Sequence, residues 1–357
     1  MRATLRLPSV SLLSLLPLLL TGCLDDLPQP SKITGLRVLG IRASPPEVAE
    51  GQVTTLSALV VDSEGRDIKL TWLACLKGER GAGFFGGGSS VGSSGGDGYS
   101  LTDPGTCFDL KAALATEPAL GLPPPGLLEL GSDTEVRLQI PTGITSNPDV
   151  VQGAYGISGA TLPPEALAVL TTIAGVNLTV ALRAEVDGDV LESFKRVNVS
   201  TAPVRNDNPS GLLFHLSKEE SPEDDDELVP KTGDPSRRGR CFGAAEDTEP
   251  LTIYDGTWVI RAQNIPEVPV TYPVILGSTD PDSPFSIQDK DEVLFYSVFS
   301  SDGDLGDNVF KSRGQAKTTW ELPSDMPETV TLFIVVRDGL GGASWCQSDL
   351  RRVPAPE

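Results

Sequence analysis

The chain reads as a mainly β protein built of two antiparallel β-sandwiches, and three observations point there. Apolar residues recur at every second place in many short segments, most clearly Val176, Leu178, Val180, Leu182, Ala184 and Val186, which is the period of a strand with one buried face. Stretches rich in Gly, Pro, Asp and Ser separate these segments, with 37 Gly and 30 Pro among 357 residues, and such residues punctuate turns. Only Pro163 to Ala174 has a helical outline: prolines and Glu165 open it and Gly175 closes it.

Taken in order, Leu36 to Ile41 is a short apolar strand, and SPPEV from Ser44 to Val48 turns the chain at its paired prolines. Val53 to Asp62 and Lys69 to Cys75 follow as strands on either side of the polar turn SEGRD. Leu70 and Trp72 share a face, which makes Trp72 a core anchor. This is the strand, hairpin and buried-tryptophan order of an immunoglobulin-like sandwich. The tract 78–100, GERGAGFFGGGSSVGSSGGDGYS, lacks core-forming residues and reads as a flexible insertion. Val136, Leu138 and Ile140 then alternate with Glu135, Arg137 and Gln139. After the helix and the long strand ending at Val186, the turn Asp187, Gly188, Asp189 returns the chain into Phe194 to Val199.

Residues 34–200 thus form a first domain and 201–211, TAPVRNDNPSG, a linker. The second domain, 212–357, opens with Leu212, Phe214 and Leu216. It continues with strands at Leu251 to Ile253, Thr257 to Ala262, Val293 to Phe299, Thr318 to Leu322, Val330 to Val336 and Ala343 to Leu350. Nearly all of its links are loops of Asp, Gly, Ser and Pro. FYSVFSSDGDL (295–305), TTWELP (318–323) and TLFIVVRDGLGGASWC (331–346) resemble the last strands of PKD-like and related bacterial immunoglobulin-like modules. LRVLGIRASPPEV and TWLAC in the first half are similar to the opening module of secreted myxobacterial lipoproteins. The resemblance implies a fold and no activity.

The N-terminus carries its own signal. Residues 1–22 hold Arg2 and Arg6, no acid, and an apolar stretch from Val10 to Leu20, the order of a secretory leader. That stretch is about half of what a bilayer-spanning helix needs. Leu20, Thr21, Gly22 and Cys23 resemble the lipobox of bacterial lipoproteins. The resemblance implies cleavage after Gly22 and acylation of Cys23 by chains such as palmitate, two or three of which hold a protein firmly to a membrane. Leu24 rather than Asp follows the cysteine, which by the same resemblance favours the outer membrane. Residues 23–33 then read as an acylated tether with two prolines.

Four cysteines remain, Cys75, Cys107, Cys241 and Cys346. An even number in an exported chain reads as two disulfides with three possible pairings. Sequence order favours Cys75 with Cys107 and Cys241 with Cys346. A metal site is the alternative, although no pair has the close spacing of a structural zinc site.

The whole chain carries a net charge of −21, and removing the leader with its two arginines leaves −23. Such a balance excludes nucleic acid as a partner. No catalytic set emerges. His215, the single histidine, falls opposite Phe214 and Leu216 on its strand and reads as a surface residue. Two G-x-S-x-G matches, Gly88 to Gly92 and Gly92 to Gly96, and one G-x-G-x-x-G at Gly81, Gly83 and Gly86 lie in the low-complexity tract, with no strand-to-helix unit to give them chemistry. The expectation is a non-enzymatic binding or structural lipoprotein of the outer membrane with an envelope protein or glycan as partner. It has no required cofactor. A calcium-dependent adhesion protein is the alternative, with Asp302, Asp304 and Asp307 as the candidate ligands, since calcium takes six to eight oxygens; a divergent hydrolase stands third.

Overall fold

A computed structural model describes residues 30–76, 105–116, 126–155, 163–210, 213–218, 241–242, 251–263, 270–280, 283–313 and 316–354. Cys23, Gly22, the leader and the 78–100 tract lie outside them, as do its glycine motifs.

The first half opens with β1 (Leu36–Ser44), β2 (Glu47–Val48), β3 (Val53–Asp62) and β4 (Lys69–Leu76), then α1 (Gly105–Thr116). It continues with β5 (Leu127–Gly131), β6 (Glu135–Gln139), α2 (Pro148–Ala154), α3 (Pro164–Ile173), β7 (Val176–Val186) and β8 (Asp189–Val199). One sheet has the order β1-β3-β6 and the other β2-β8-β7-β4-β5. Between them sit Trp72, Leu56, Leu138, Leu178, Val180 and Leu182, all without exposed surface. Each such aliphatic side chain contributes roughly 1.5–3 kcal/mol by leaving water. Trp72 satisfies its ring N–H on the Asp133 carbonyl at 2.9 Å.

The second half runs β9 (Leu213–Lys218), β10 (Leu251–Ile253), β11 (Gly256–Gln263), β12 (Thr271–Asp280), β13 (Ser283–Asp291) and β14 (Phe295–Ser300). It ends with β15 (Asp304–Leu305), β16 (Val309–Lys311), β17 (Lys317–Leu322), β18 (Thr329–Arg337) and β19 (Ala343–Arg352). One sheet is β15-β17-β11-β9 and its partner β10-β19-β18-β14-β16. Trp320, Tyr296, Ile260, Ile334 and Leu332 fill the space between.

Both halves therefore repeat one wiring. In immunoglobulin lettering, where A, B, E and D face G, F and C, β1-β3-β6 stand as A, B and E, and β8-β7-β4 as G, F and C. In the second half β9-β11-β17-β15 are A, B, E and D, and β19-β18-β14 are G, F and C. In each half a short early strand crosses to the other sheet and pairs parallel with the last one: β2 with β8 and β10 with β19. In the first half the crossing is made at Ser44, Pro45 and Pro46, where β1 ends. Trp72 occupies strand C, where immunoglobulin domains keep a buried tryptophan.

Three differences from the sequence expectation stand out. Among the described residues the first half holds three helices rather than one. In α2, Asn147 caps the N-terminus through a 3.0 Å bond from the Asp149 N–H, and Pro148 fills the first turn. α1 is carried by Cys107 and Phe108, which pack on Leu73, Cys75 and Ala181 on the outer face of the sheet. Secondly, the link between β11 and β14 holds a long hairpin, β12 with β13, in register from Thr271 opposite Asp291. Finally, His215 is buried, 3% exposed. Its neighbours on that face, Ser217 and Val259, are buried too, so β9 is covered on both sides. Alternation separates two faces of a strand but does not say which of them meets water.

Candidate interaction surfaces

The segment expected to be a free tether is seated at its C-terminal end. Ser31 and Ile33 are buried, and their backbone pairs with the end of β14: the Ile33 N–H donates to the Ser300 carbonyl and the Ser300 N–H to the Ser31 carbonyl, each at 2.9 Å. Lys32 lies between them and bonds the Asp302 carboxylate at 2.9 Å. Arg37 holds the Pro30 carbonyl from the other side at 2.5 Å. Ile33 belongs to an apolar cluster drawn from both halves, with Leu39, Phe333 and Val335 at its centre and Leu59, Val61, Phe299 and Trp345 around them.

That cluster joins the outer face of β1 and β3 to the outer face of β14, β18 and β19. The backbones approach closely at Gly40, where an added Cβ would stand 3.3 Å from Val335 and 3.5 Å from the Trp345 ring. Arg42 covers the same ring at 4.8 Å. The Arg337 guanidinium, whose pKa burial lowers, donates to the Leu39 carbonyl at 2.9 Å and to the Ser297 hydroxyl at 3.1 Å. Residues 201–210, expected as a linker, knit the same junction. The Asn208 side chain donates to the Ala43 carbonyl and accepts from the Ala343 N–H. The Asn206 N–H donates to Glu47, and its amide to the Asp338 carboxylate at 2.7 Å. Asp338 is 1% exposed and also takes the Leu340 and Gly342 N–H groups. Lys195 donates to the Gly341 carbonyl. Burial pushes the Lys195 amine down to about 8, with Asp338 acting against that shift and Arg337 adding to it.

The two disulfides pair as sequence order favoured, Cys75 with Cys107 and Cys241 with Cys346. The proposed calcium ligands are not brought together. Asp302 is engaged by Lys32 and by the Gly303 N–H. Burial raises its carboxyl pKa, but the bonds from Lys32 and Gly303 prevail and hold it below its ordinary value. Asp304 is exposed on β15, and the Asp307 N–H donates to the Thr318 hydroxyl. Among the described residues no three His, Cys, Asp or Glu side chains converge on a metal position.

One outer face carries an exposed mixed strip. α1 lies against β4, β5 and β7, and Phe108 on it sits 4.1 Å beneath the Arg183 guanidinium, which pairs in turn with Glu192. Beside this pair on β8, Val190 and Phe194 remain 49% and 41% exposed, while Leu191 lies on the opposite face, across from Ala184. Apolar side chains next to an ordered charge pair, on a strand rather than a loop, make a contact surface that needs little reorganisation on binding. Sequence reading missed this strip because it assigned the strand only from Phe194.

No family model matches the chain, and none of the curated proteins does. Among solved structures it is similar to Escherichia coli alpha-2-macroglobulin activated by porcine elastase, with 12% identity, a TM-score of 0.21 and coverage of 92% of this chain and 23% of that one. This chain thus spans less than a quarter of that structure. It is also similar to the Ig1-2 module of the Drosophila receptor protein tyrosine phosphatase DLAR, with 10% identity, a TM-score of 0.20 and coverage of 90% and 100%. The fold assignment rests on the strand order, not on these likenesses.

Proposed function

We propose that the chain is a lipid-anchored envelope protein, held at the outer membrane by acylated Cys23, that presents two joined immunoglobulin-like sandwiches as a non-catalytic binding or structural module. The observation that carries the binding role is the Val190 and Phe194 strip beside the Arg183–Glu192 pair, displayed on a body whose halves are packed together. The partner is a protein or glycan of the envelope. Two disulfides fit an oxidising compartment outside the cytoplasm, and the leader and lipobox residues supply the route there.

The binding role is tested by a photo-crosslinking amino acid at position 194 in intact cells, followed by mass spectrometry. A specific neighbour captured there, and lost when Val190→Asp is added, supports the reading. Recovery of the protein alone would remove it. The anchor is tested by Cys23→Ser, which should leave an unprocessed and unlipidated precursor.

A further inference from the structure

The seated segment fixes where the chain leaves the body, and with it which end of the body looks at the membrane. β1 starts beside the Ser300 end of β14 and runs along β18 and β19 until Ala43 meets Asn208, which itself bonds Ala343. The two sandwiches therefore lie side by side in opposite senses, the B–C and F–G end of the first beside the C–D and E–F end of the second. The end near Ser31 gathers the Ser63–Arg66 and Asp187–Asp189 turns of the first sandwich, linked at Gly35 and Ser63, and the Ser301–Gly303 and Pro323–Glu328 turns of the second. The opposite end gathers residues 142–147, the 205–208 strand of chain and the 338–342 turn.

Eight peptide steps separate Cys23 from Ser31, and a fully extended chain covers at most about 28 Å in that number. The strands add a further length of roughly 30 Å between the ends, for the nine residues of β1. We propose that the end formed by these four turns faces the lipid surface and that the opposite end points away from it, with the Lys32–Asp302 pair and the Ile33 contact acting as the strap that sets this orientation. The inference rests on acylation of Cys23. Like charge between the acidic body and anionic headgroups keeps this end at tether length from the surface. This end therefore looks at the lipid surface across the tether without docking on it.

The full-length lipidated protein is reconstituted into vesicles of phosphatidylethanolamine and phosphatidylglycerol that contain an acceptor-labelled lipid. A fluorescent amino acid stands in place of Asp325 or Glu64 at one end, or of Thr142 at the other. Energy transfer should be several-fold more efficient from the first two positions. Lys32→Glu should narrow the difference, and the combined Lys32→Glu with Asp302→Lys should restore it. Equal transfer from both ends in protein that floats with the vesicles would overturn the orientation and leave the anchor standing. Failure to float would overturn both.

Discussion

Glu50 shows how much one side chain can organise here. Its carboxylate accepts from the backbone N–H groups of Thr145 and Ser146 and from both hydroxyls, and so pins the loop that leads into α2. Burial raises its pKa, but these bonds together outweigh that and hold it at about 2. A carboxyl depressed on folding stabilises the protein above its ordinary pKa and loses that contribution as pH falls towards the folded value. Glu50→Gln should therefore cost about 1 kcal/mol at pH 7, and the difference from wild type should vanish near pH 2 in urea titrations. Gly342 is a second such position. An added Cβ would stand 2.1 Å from the Asp338 carboxylate and 2.7 Å from the Asp207 carbonyl, with no flexible group to yield. Gly342→Ala should lower stability by about 2 kcal/mol or more, read as a shift in denaturation midpoint. The sequence places Asp338 and Gly342 in the link between the strands at Val330 to Val336 and Ala343 to Leu350. It gave no sign that the turn would be buried against a distant segment, because burial of a turn depends on what packs over it.

At the scale of elements, what was legible follows from periodicity. β7, β17, β18 and β19 alternate or run apolar over enough residues to declare themselves, and Trp72 was recognised as a core anchor from its place beside Leu70. α1 was not legible: GTCFDLKAALAT follows a tract without pattern, and its hold on the sheet comes from Cys107 and Phe108, contacts no local signal announces. α2 was available to a closer reading, since Asn147, Pro148 and Asp149 make a capped start. The β12–β13 hairpin was hidden by Pro273 and by the Asp and Ser residues that resemble loop. The Cys75–Cys107 bond joins residues 32 apart, so replacing both cysteines by serine should cost roughly 3.7 kcal/mol on the chain-entropy model. Limited proteolysis should then cut near α1 sooner than in wild type.

Across the whole molecule the junction decides behaviour. Gly40→Leu would force bulk into the contact with Val335 and Trp345. Small-angle scattering should show a larger radius, and calorimetry should separate one unfolding transition into two. Lys195 gives a pH readout of the same junction. Its amine is depressed on folding to about 8, so its charged form opposes folding below that value, and stability should rise between pH 8 and its ordinary value of 10.5, by up to about 3 kcal/mol. The rise should be absent in Lys195→Met. Because Asp302 pairs with Lys32 and Asp304 and Asp307 are not drawn to it, melting temperatures in excess calcium and in chelator should coincide; a rise with calcium would restore the adhesion alternative. None of this junction could be read from the sequence, since TAPVRNDNPSG has the composition of a linker whether or not its asparagines find partners.

The parallel pairing of β2 with β8 has a mechanical consequence. The N-terminal side of β2 leads back to β1 and the N-terminus, while the C-terminal side of β8 leads on to the second sandwich. Tension drawn between those two ends pulls the strands in opposite directions along their length. Their hydrogen bonds are then sheared together, not peeled one by one, and the seated Ser31–Ile33 segment must give way before that shear begins. A pull on the N-terminus thus meets the seated segment, the β1–β3 pairing and this shear in series.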